Sequence, residues 1–228
     1  MRLAALTKSI RVNGEINMGK KEEYGFFAML DRMQYIERWA LMRNSRTENI
    51  KEHSFDVAVI AHALAVLHNR FEKDNKDAIL PDPYRVQAYA LYHDCTEILT
   101  GDLPTPIKYR NKEITRAYKE VESEAAASLV ELLPEDMEMR EEYLELLAPS
   151  VSNEEEKLIH KLVKAADKIA AYIKCLREES SGNAEFSAAK EATGRIIKGM
   201  EMPEVEYFME HFVPSYGYTL DEITGRDT

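Results

Sequence analysis

Apolar residues recur at helical spacing over long stretches of this chain, and the breaks fall at segments rich in Pro, Gly, Asn and Ser. From Tyr24 to Trp39, Phe26, Leu30, Met33 and Glu37 share one helical line with Phe27 and Ile36 beside it, which predicts a first helix ending near Trp39. ALMRNSRTEN lacks a period and predicts an ordered loop. Asn49 and Glu52 resemble a capping box, opening a second helix with its apolar line through His53, Val57, Ile60, Ala61, Leu64 and Leu67. His62, about half a turn away, is expected to face solvent. Asp82 before Pro83 starts a third helix, predicted to run to Gly101 with Val86, Tyr89, Ala90, His93 and Glu97 on one face. The two prolines of GDLPTPIKY predict a rigid loop. Further helices are predicted over 107–133, with Ile114, Val121, Ala125, Leu129 and Leu132 inward, and over 135–147. Others follow from the Asn153/Glu156 capping box to about Glu179, over 184–199 and over 203–212.

Nine Gly and eight Pro in 228 residues, clustered between these segments, favour an all-α fold, and the length suits one domain. We place that domain at residues 23–228 and read 1–22 as a loosely ordered extension in which Met18 is an alternative start. Hydrophobic residues at 45% and charged residues at 31% are the profile of a globular protein. A formal net charge of −11 argues against a nucleic acid polymer as partner, because such a partner requires a basic footprint. A small anion needs only a local positive centre. No apolar run approaches the ~18 to 20 residues that span a bilayer, so no membrane partner is expected. Cys95 and Cys175 are too few for a disulfide framework and suit reduced thiols in the cytoplasm.

Asp167 interrupts an apolar line with Val163 and Ala170, flanked by Leu162, Ile169 and Ile173. A carboxylate there is costly to bury unless it is paired or bound to metal. His53 occupies a similar position, and alone it reads better as a satisfied core histidine than as a ligand. With His93 and Asp94 adjacent on a third helix, three helices each turn a metal-type donor inward. Two imidazole nitrogens and two carboxylates suit one divalent transition cation such as Mn, Co, Fe or Zn, with positions left for water and substrate. Glu97, one turn after His93, is placed to move a proton, or else to orient a ligand. Trp39 by itself is equally a core anchor. Arg43, Arg46, Lys108 and Arg110 would form a basic rim, or simply solvated charge. His160 shares a helical face with Asp167 and could be imagined as a ligand for a second metal, but two turns, about 10.5 Å of rise, favour a structural or surface role. The remaining histidines offer no ligand set for a second cation, which disfavours cleavage of cyclic diesters.

Three blocks, RWALMRNSRTENIKEHS, LYHDCTEILTGDLPTPIKY and KLVKAADKIAAYIKCL, give residues 24–222 a resemblance to the YfbR-like 5'-deoxynucleotidase family of the HD-domain phosphohydrolase superfamily. Ala40 departs from it, standing where the pattern has proline. The resemblance implies an HD-type helical bundle, a homodimer, and hydrolysis of 2'-deoxyribonucleoside 5'-monophosphates. It implies His53, His93, Asp94 and Asp167 as metal ligands, of which His53, Asp94 and Asp167 also belong to the substrate site. It further implies Arg38 as the group orienting phosphate and Trp39 as the side chain beside the sugar. Asp102, Leu103, Pro104 and Thr105 would form the loop that contacts the nucleotide. The alternatives are hydrolysis of a deoxynucleoside triphosphate or a guanosine polyphosphate, or a metal-stabilised binding protein without turnover. The complete ligand set with Glu97 argues against the last.

Overall fold

The computed structural model describes residues 23–108 and 110–225, with the side chains of residues 105 and 106 outside that description. The expected extension over 1–22 lies outside the described residues. The helices are α1 (Phe26–Asp31), α2 (Ile50–Glu72), α3 (Pro83–Tyr92), α4 (Glu97–Thr100), α5 (Thr105–Lys108), α6 (Lys112–Val130), α7 (Met139–Leu147), α8 (Glu154–Ser180), α9 (Ser187–Lys198), α10 (Pro203–His211) and α11 (Leu220–Thr224). Short 3-10 turns join several of them, and no strand occurs among the described residues. The fold is all-α. None of these helices is long and apolar enough to cross a membrane.

Side-chain caps begin the long helices. Asn49 accepts from the backbone N–H groups of Lys51 and Glu52, Asp82 from that of Tyr84, and Asn153 forms a complete capping box with Glu156. At Asn49 the reciprocal half is missing; Glu52 instead lies 3.9 Å from Arg46 Nη2. The core lies where α2 packs on α3 and α8. Val57, Ile60 and Leu64 meet Val86, Ala90, Leu162, Ile169 and Ile173, all buried. Each large aliphatic side chain so buried contributes about 1.5–3 kcal/mol. A second cluster joins Phe26, Ile50, Cys95, Leu129 and Leu133 under α1 and α6.

Several predicted boundaries move. The first helix ends at Asp31 and tightens to a 3-10 turn over Arg32–Tyr35, because the backbone beyond pairs across the chain. Glu37 bridges Asn49, Arg38 N–H donates to Glu48 O at 2.9 Å, and Ile50 N–H donates to Ile36 O at 3.0 Å. The third helix breaks after Tyr92, where i to i−3 hydrogen bonds such as Glu97 N–H to Asp94 O tighten the turn before α4. The two prolines do not bar helix throughout, since Thr105–Lys108 makes a single turn on the Pro104 carbonyl. Of the positions predicted inward over 107–133, Val121 and Leu132 prove exposed, whereas Ala125 and Leu129 are buried as predicted. His62 is half-buried against the Tyr84 ring, not solvent-facing.

The predicted loop before α2 is ordered, and α8 orders it. Buried Glu178 accepts from Ser45 N–H at 2.8 Å, Ser45 Oγ at 2.6 Å, Arg46 N–H at 3.3 Å and Asn183 Nδ2 at 2.8 Å, and from Lys174 Nζ. Lys174 also donates to the Arg46 carbonyl. Removing one partner from such a network leaves a buried charge uncompensated. Glu178→Ala should therefore lower stability by about 3–5 kcal/mol in denaturant titration; a loss below about 1 kcal/mol would show that the loop is not held there.

Candidate metal centre

The cap at Asn49 sets the first turn of α2, and His53 lies one turn in, fully buried. The turn after α3 carries His93 and Asp94, and the middle of α8 carries Asp167. These elements converge. His53 Nε2 lies 3.1 Å from Asp167 Oδ1 and 3.6 Å from Asp94 Oδ2, and His93 Nε2 lies 3.1 Å from Asp94 Oδ2. The ligand atoms of His53, His93 and Asp94 all fall within 4.8 Å of one another, and Asp167 stands beside that group through His53.

The residues fit a divalent cation. His93 Nδ1 donates to the Ala90 carbonyl at 2.7 Å, fixing the tautomer that leaves Nε2 with its lone pair. That buried Nε2 has no hydrogen-bond partner among the described residues, although a carboxylate oxygen is nearby. At metal–ligand distances of about 2.1 Å, neighbouring donors sit roughly 3.0–3.4 Å apart, close to the spacings observed. Burial first, and then the Arg38 charge, hold the His53 pKa below its ordinary value, so this imidazole is neutral and ready to bind. Burial also opposes charge on His93, but the Asp94 carboxylate outweighs it and raises the His93 pKa. Asp94 and Asp167 are held low in spite of burial, the first by His93 and Arg38, the second by the His53 hydrogen bond and Lys168. A metal would compete with protonation of His93.

Arg38 lies over this cluster, its Nη1 donating to Asp94 Oδ2 at 3.2 Å and its Nε to Glu48 Oε2 at 3.2 Å. Trp39 Nε1 donates to the same Glu48 oxygen at 3.1 Å, and the indole ring meets buried Phe186 at 5.4 Å. Trp39 has φ 59°, in the left-handed region. A bulky residue there costs on the order of 1–3 kcal/mol and persists only when its surroundings hold it. Glu48 was missed by sequence reasoning, since it lies in an aperiodic loop; its place next to the Asn49 cap was the only signal.

Glu97 is buried, with Oε2 lacking a partner among the described residues. Burial, then the charges of Asp94 and Asp102, push its pKa up to about 9, so the folded protein holds it protonated at neutral pH. Asp102 is half-buried, and Arg38 and the Trp39 amide counter the upward pull of its burial. Leu103 and Pro104 are half-buried beside it, while the Thr105 side chain lies outside the described residues. The basic rim is partly neutralised: Lys108 donates to Glu122 at 2.7 Å, and exposed Arg43 pairs loosely with Glu185 at 3.8 Å. Lys168, donating to Asp167 Oδ2 at 2.8 Å, is a cation at the site that sequence reasoning did not single out. His160 is exposed and plays no part in the cluster.

Residues 25–216 match the family described as 5'-deoxynucleotidase YfbR-like. A 5'-deoxynucleotidase of Pectobacterium atrosepticum is 48% identical over 199 residues, 87% of this chain and 95% of that relative. One from Yersinia pestis is 47% identical over 199 residues, covering 87% and 96%. Among solved structures, an HD-domain phosphohydrolase from Listeria innocua superposes with a TM-score of 0.65 at 24% identity, over 84% of this chain and 87% of that one. A protein from Pyrococcus horikoshii does so with a TM-score of 0.54 at 22% identity, over 84% and 96%. Both likenesses are of fold.

The raised Glu97 carboxyl has a thermodynamic consequence in metal-free protein. Between its ordinary value of 4.5 and about 9, the folded state keeps a proton that the unfolded state has lost. Stability then falls as pH rises through that window and is unaffected by Glu97 below it. Denaturant unfolding in chelator at pH 5.5 and at pH 8.5 should show a smaller loss of stability for Glu97→Gln than for wild type; equal losses would contradict the assignment.

Proposed function

The chain belongs to the YfbR-like 5'-deoxynucleotidase family, and on that premise we propose that it hydrolyses 2'-deoxyribonucleoside 5'-monophosphates to deoxynucleoside and phosphate. The observation that carries this is the Arg38 guanidinium, 3.2 Å from Asp94 Oδ2 and therefore fixed beside the donor cluster. A cation next to metal-type donors suits a phosphate monoester.

His53, His93, Asp94 and Asp167 would hold one divalent cation per protomer, their mixed nitrogen and oxygen donors suiting Co or Mn. Such an ion supplies positive charge against the phosphate and acidifies a water molecule. Arg38 binds and orients the phosphate. With Nε and Nη1 engaged, Nη2 has no partner among the described residues and can donate to a phosphate oxygen. Protonated Glu97 gives its proton to the leaving 5'-oxygen. Trp39 stands at the sugar, and Asp102, Leu103, Pro104 and Thr105 form the loop along the nucleotide. Strong rejection of ribose requires the 2'-hydroxyl to clash or to leave a polar group unpaired, since poor fit alone discriminates weakly. Cys95 and Cys175 are free thiols, which suits the cytoplasm.

The same proposal extends to a homodimer. Phe55, Val59 and Val66 are exposed at i, i+4 and i+11, a single stripe on α2 opposite the core face that carries His53. The His62 ring meets Tyr84 edge-on at 5.2 Å, which sets the exposed Tyr84 and Leu91 of α3 alongside. A second copy covering this apolar surface would remove it from water.

Phosphate release should be seen from dAMP with Mn²⁺ or Co²⁺, be abolished by chelator, and be far slower from AMP. Equal turnover of dAMP and AMP would remove deoxyribose selectivity, and pyrophosphate release from dATP would point to a triphosphohydrolase. Asp167→Asn should lower kcat by more than the roughly 10- to 100-fold typical of an outer-shell metal contact. Light scattering on the eluting protein should give twice the 26.2 kDa chain mass, and Val59→Glu should halve it. A monomeric wild type would rule the dimer out.

A further inference from the structure

Glu48 takes no part in the metal cluster, yet it is 8% exposed and one of its oxygens serves two donors. Oε2 accepts from Arg38 Nε at 3.2 Å and from Trp39 Nε1 at 3.1 Å, while its backbone carbonyl accepts from Arg38 N–H at 2.9 Å. No other acceptor meets either side-chain nitrogen among the described residues. We propose that Glu48 is a positioning residue that locks Arg38 and Trp39 into one unit, so that the grip on phosphate and the discrimination at the sugar are set by a single carboxylate oxygen. This rests on the proposed nucleotidase activity.

The chemistry favours a carboxylate at this position. Arg38 faces two acidic partners, Glu48 through Nε and Asp94 through Nη1. Guanidinium pairs most strongly with a carboxylate through two parallel N–H bonds. Without Glu48 on Nε, Arg38 is free to turn onto Asp94 with both forks, which occupies the donors that phosphate requires and loads a metal ligand. Glu48 thus holds the guanidinium edge-on. Among the described residues the same oxygen is the only acceptor of the Trp39 indole nitrogen, at a residue whose backbone is already in the left-handed region. Glutamine in this position keeps the size and one acceptor but replaces the charge with an amide. Aspartate keeps the charge and withdraws it by one methylene.

Trp39 is the only tryptophan in the chain, so intrinsic fluorescence reports on this one side chain. In the full-length protein, Glu48→Gln is expected to raise acrylamide quenching of Trp39 and lower its anisotropy, with the thermal midpoint and far-UV circular dichroism close to wild type. With Mn²⁺, KM for dAMP should rise about tenfold, as expected when a charge-assisted hydrogen bond to a carboxylate becomes one to a neutral amide of roughly half the strength. The dAMP-to-AMP preference should fall with it. Because the effect of Glu48 on phosphate runs through Arg38, Glu48→Gln should change KM far less in an Arg38→Ala background, while the change in sugar preference that runs through Trp39 persists. Unchanged quenching together with unchanged KM and sugar preference would overturn the proposal, as would an additive effect on KM in the double variant. Should Glu48→Gln fail to fold, Glu48→Asp carries the same measurements with the same expected directions. If wild type turns over no nucleotide, the proposed activity fails, and the fluorescence comparison alone decides whether Glu48 positions Trp39.

Discussion

Along one face of α8, Asp167, Lys174 and Glu178 follow at i, i+7 and i+11, and the outer half of the site hangs from the last two. Glu178 gathers donors from Ser45, Arg46, Asn183 and Lys174 in a buried setting. A carboxylate so placed is costly unless every lone pair is used, and each donor it recruits fixes another atom of the loop before α2. That loop begins at Trp39 and closes at Glu48, so its tethering to α8 gives Arg38 and Trp39 their place over the ligand cluster. The same helix presents Asp167 to His53 two turns earlier. Base and rim of the site are therefore registered by one rigid element.

The electrostatic balance is unusual for a protein with a net charge of −11 that is expected to bind an anion. Asp94, Glu97, Asp102 and Asp167 are close enough to shift one another or the same neighbours, which alone would repel a phosphate. Arg38, Lys168 and the proton on Glu97 cancel part of that charge. The arrangement makes sense as a receptor for a cation and an anion together, each lowering the cost of the other.

Helices with strong caps and unbroken apolar lines were legible in the sequence. Asn153 with Glu156 announced α8, Asn49 announced α2, and the core faces of both lie as the periodicity implied. The inward placement of His53 and Asp167 followed from those lines. Boundaries set by distant partners were not legible. Nothing local requires the first helix to stop at Asp31; the pairing of residues 36–38 with 48–50 does. The break after Tyr92 likewise runs against a continuing helical pattern. It turns His93 and Asp94 toward one point, an adjacency that a regular helix, with its step of about 100°, would have splayed. Glu48 escaped notice because a carboxylate in an aperiodic loop has no neighbour in sequence that betrays burial. Lys174 and Glu178, by contrast, were readable in principle, as charged residues in register with Asp167 on a buried face.

Within six residues, Glu48 to His53, the chain carries the carboxylate that holds Arg38 and Trp39, the Asn49 cap and the first imidazole of the cluster. At a helical rise of about 1.5 Å per residue there is no slack between them. An added residue here would rotate His53 away by about 100° or displace Glu48 from its two donors. The connection from Lys73 to Asp82 at the other end of α2 joins α2 to α3 far from any of these atoms. Loop closure there grows costlier only slowly with length. Variation in the length of this chain is thus confined by geometry: insertions belong between α2 and α3, and the six residues at the opposite end of α2 tolerate none.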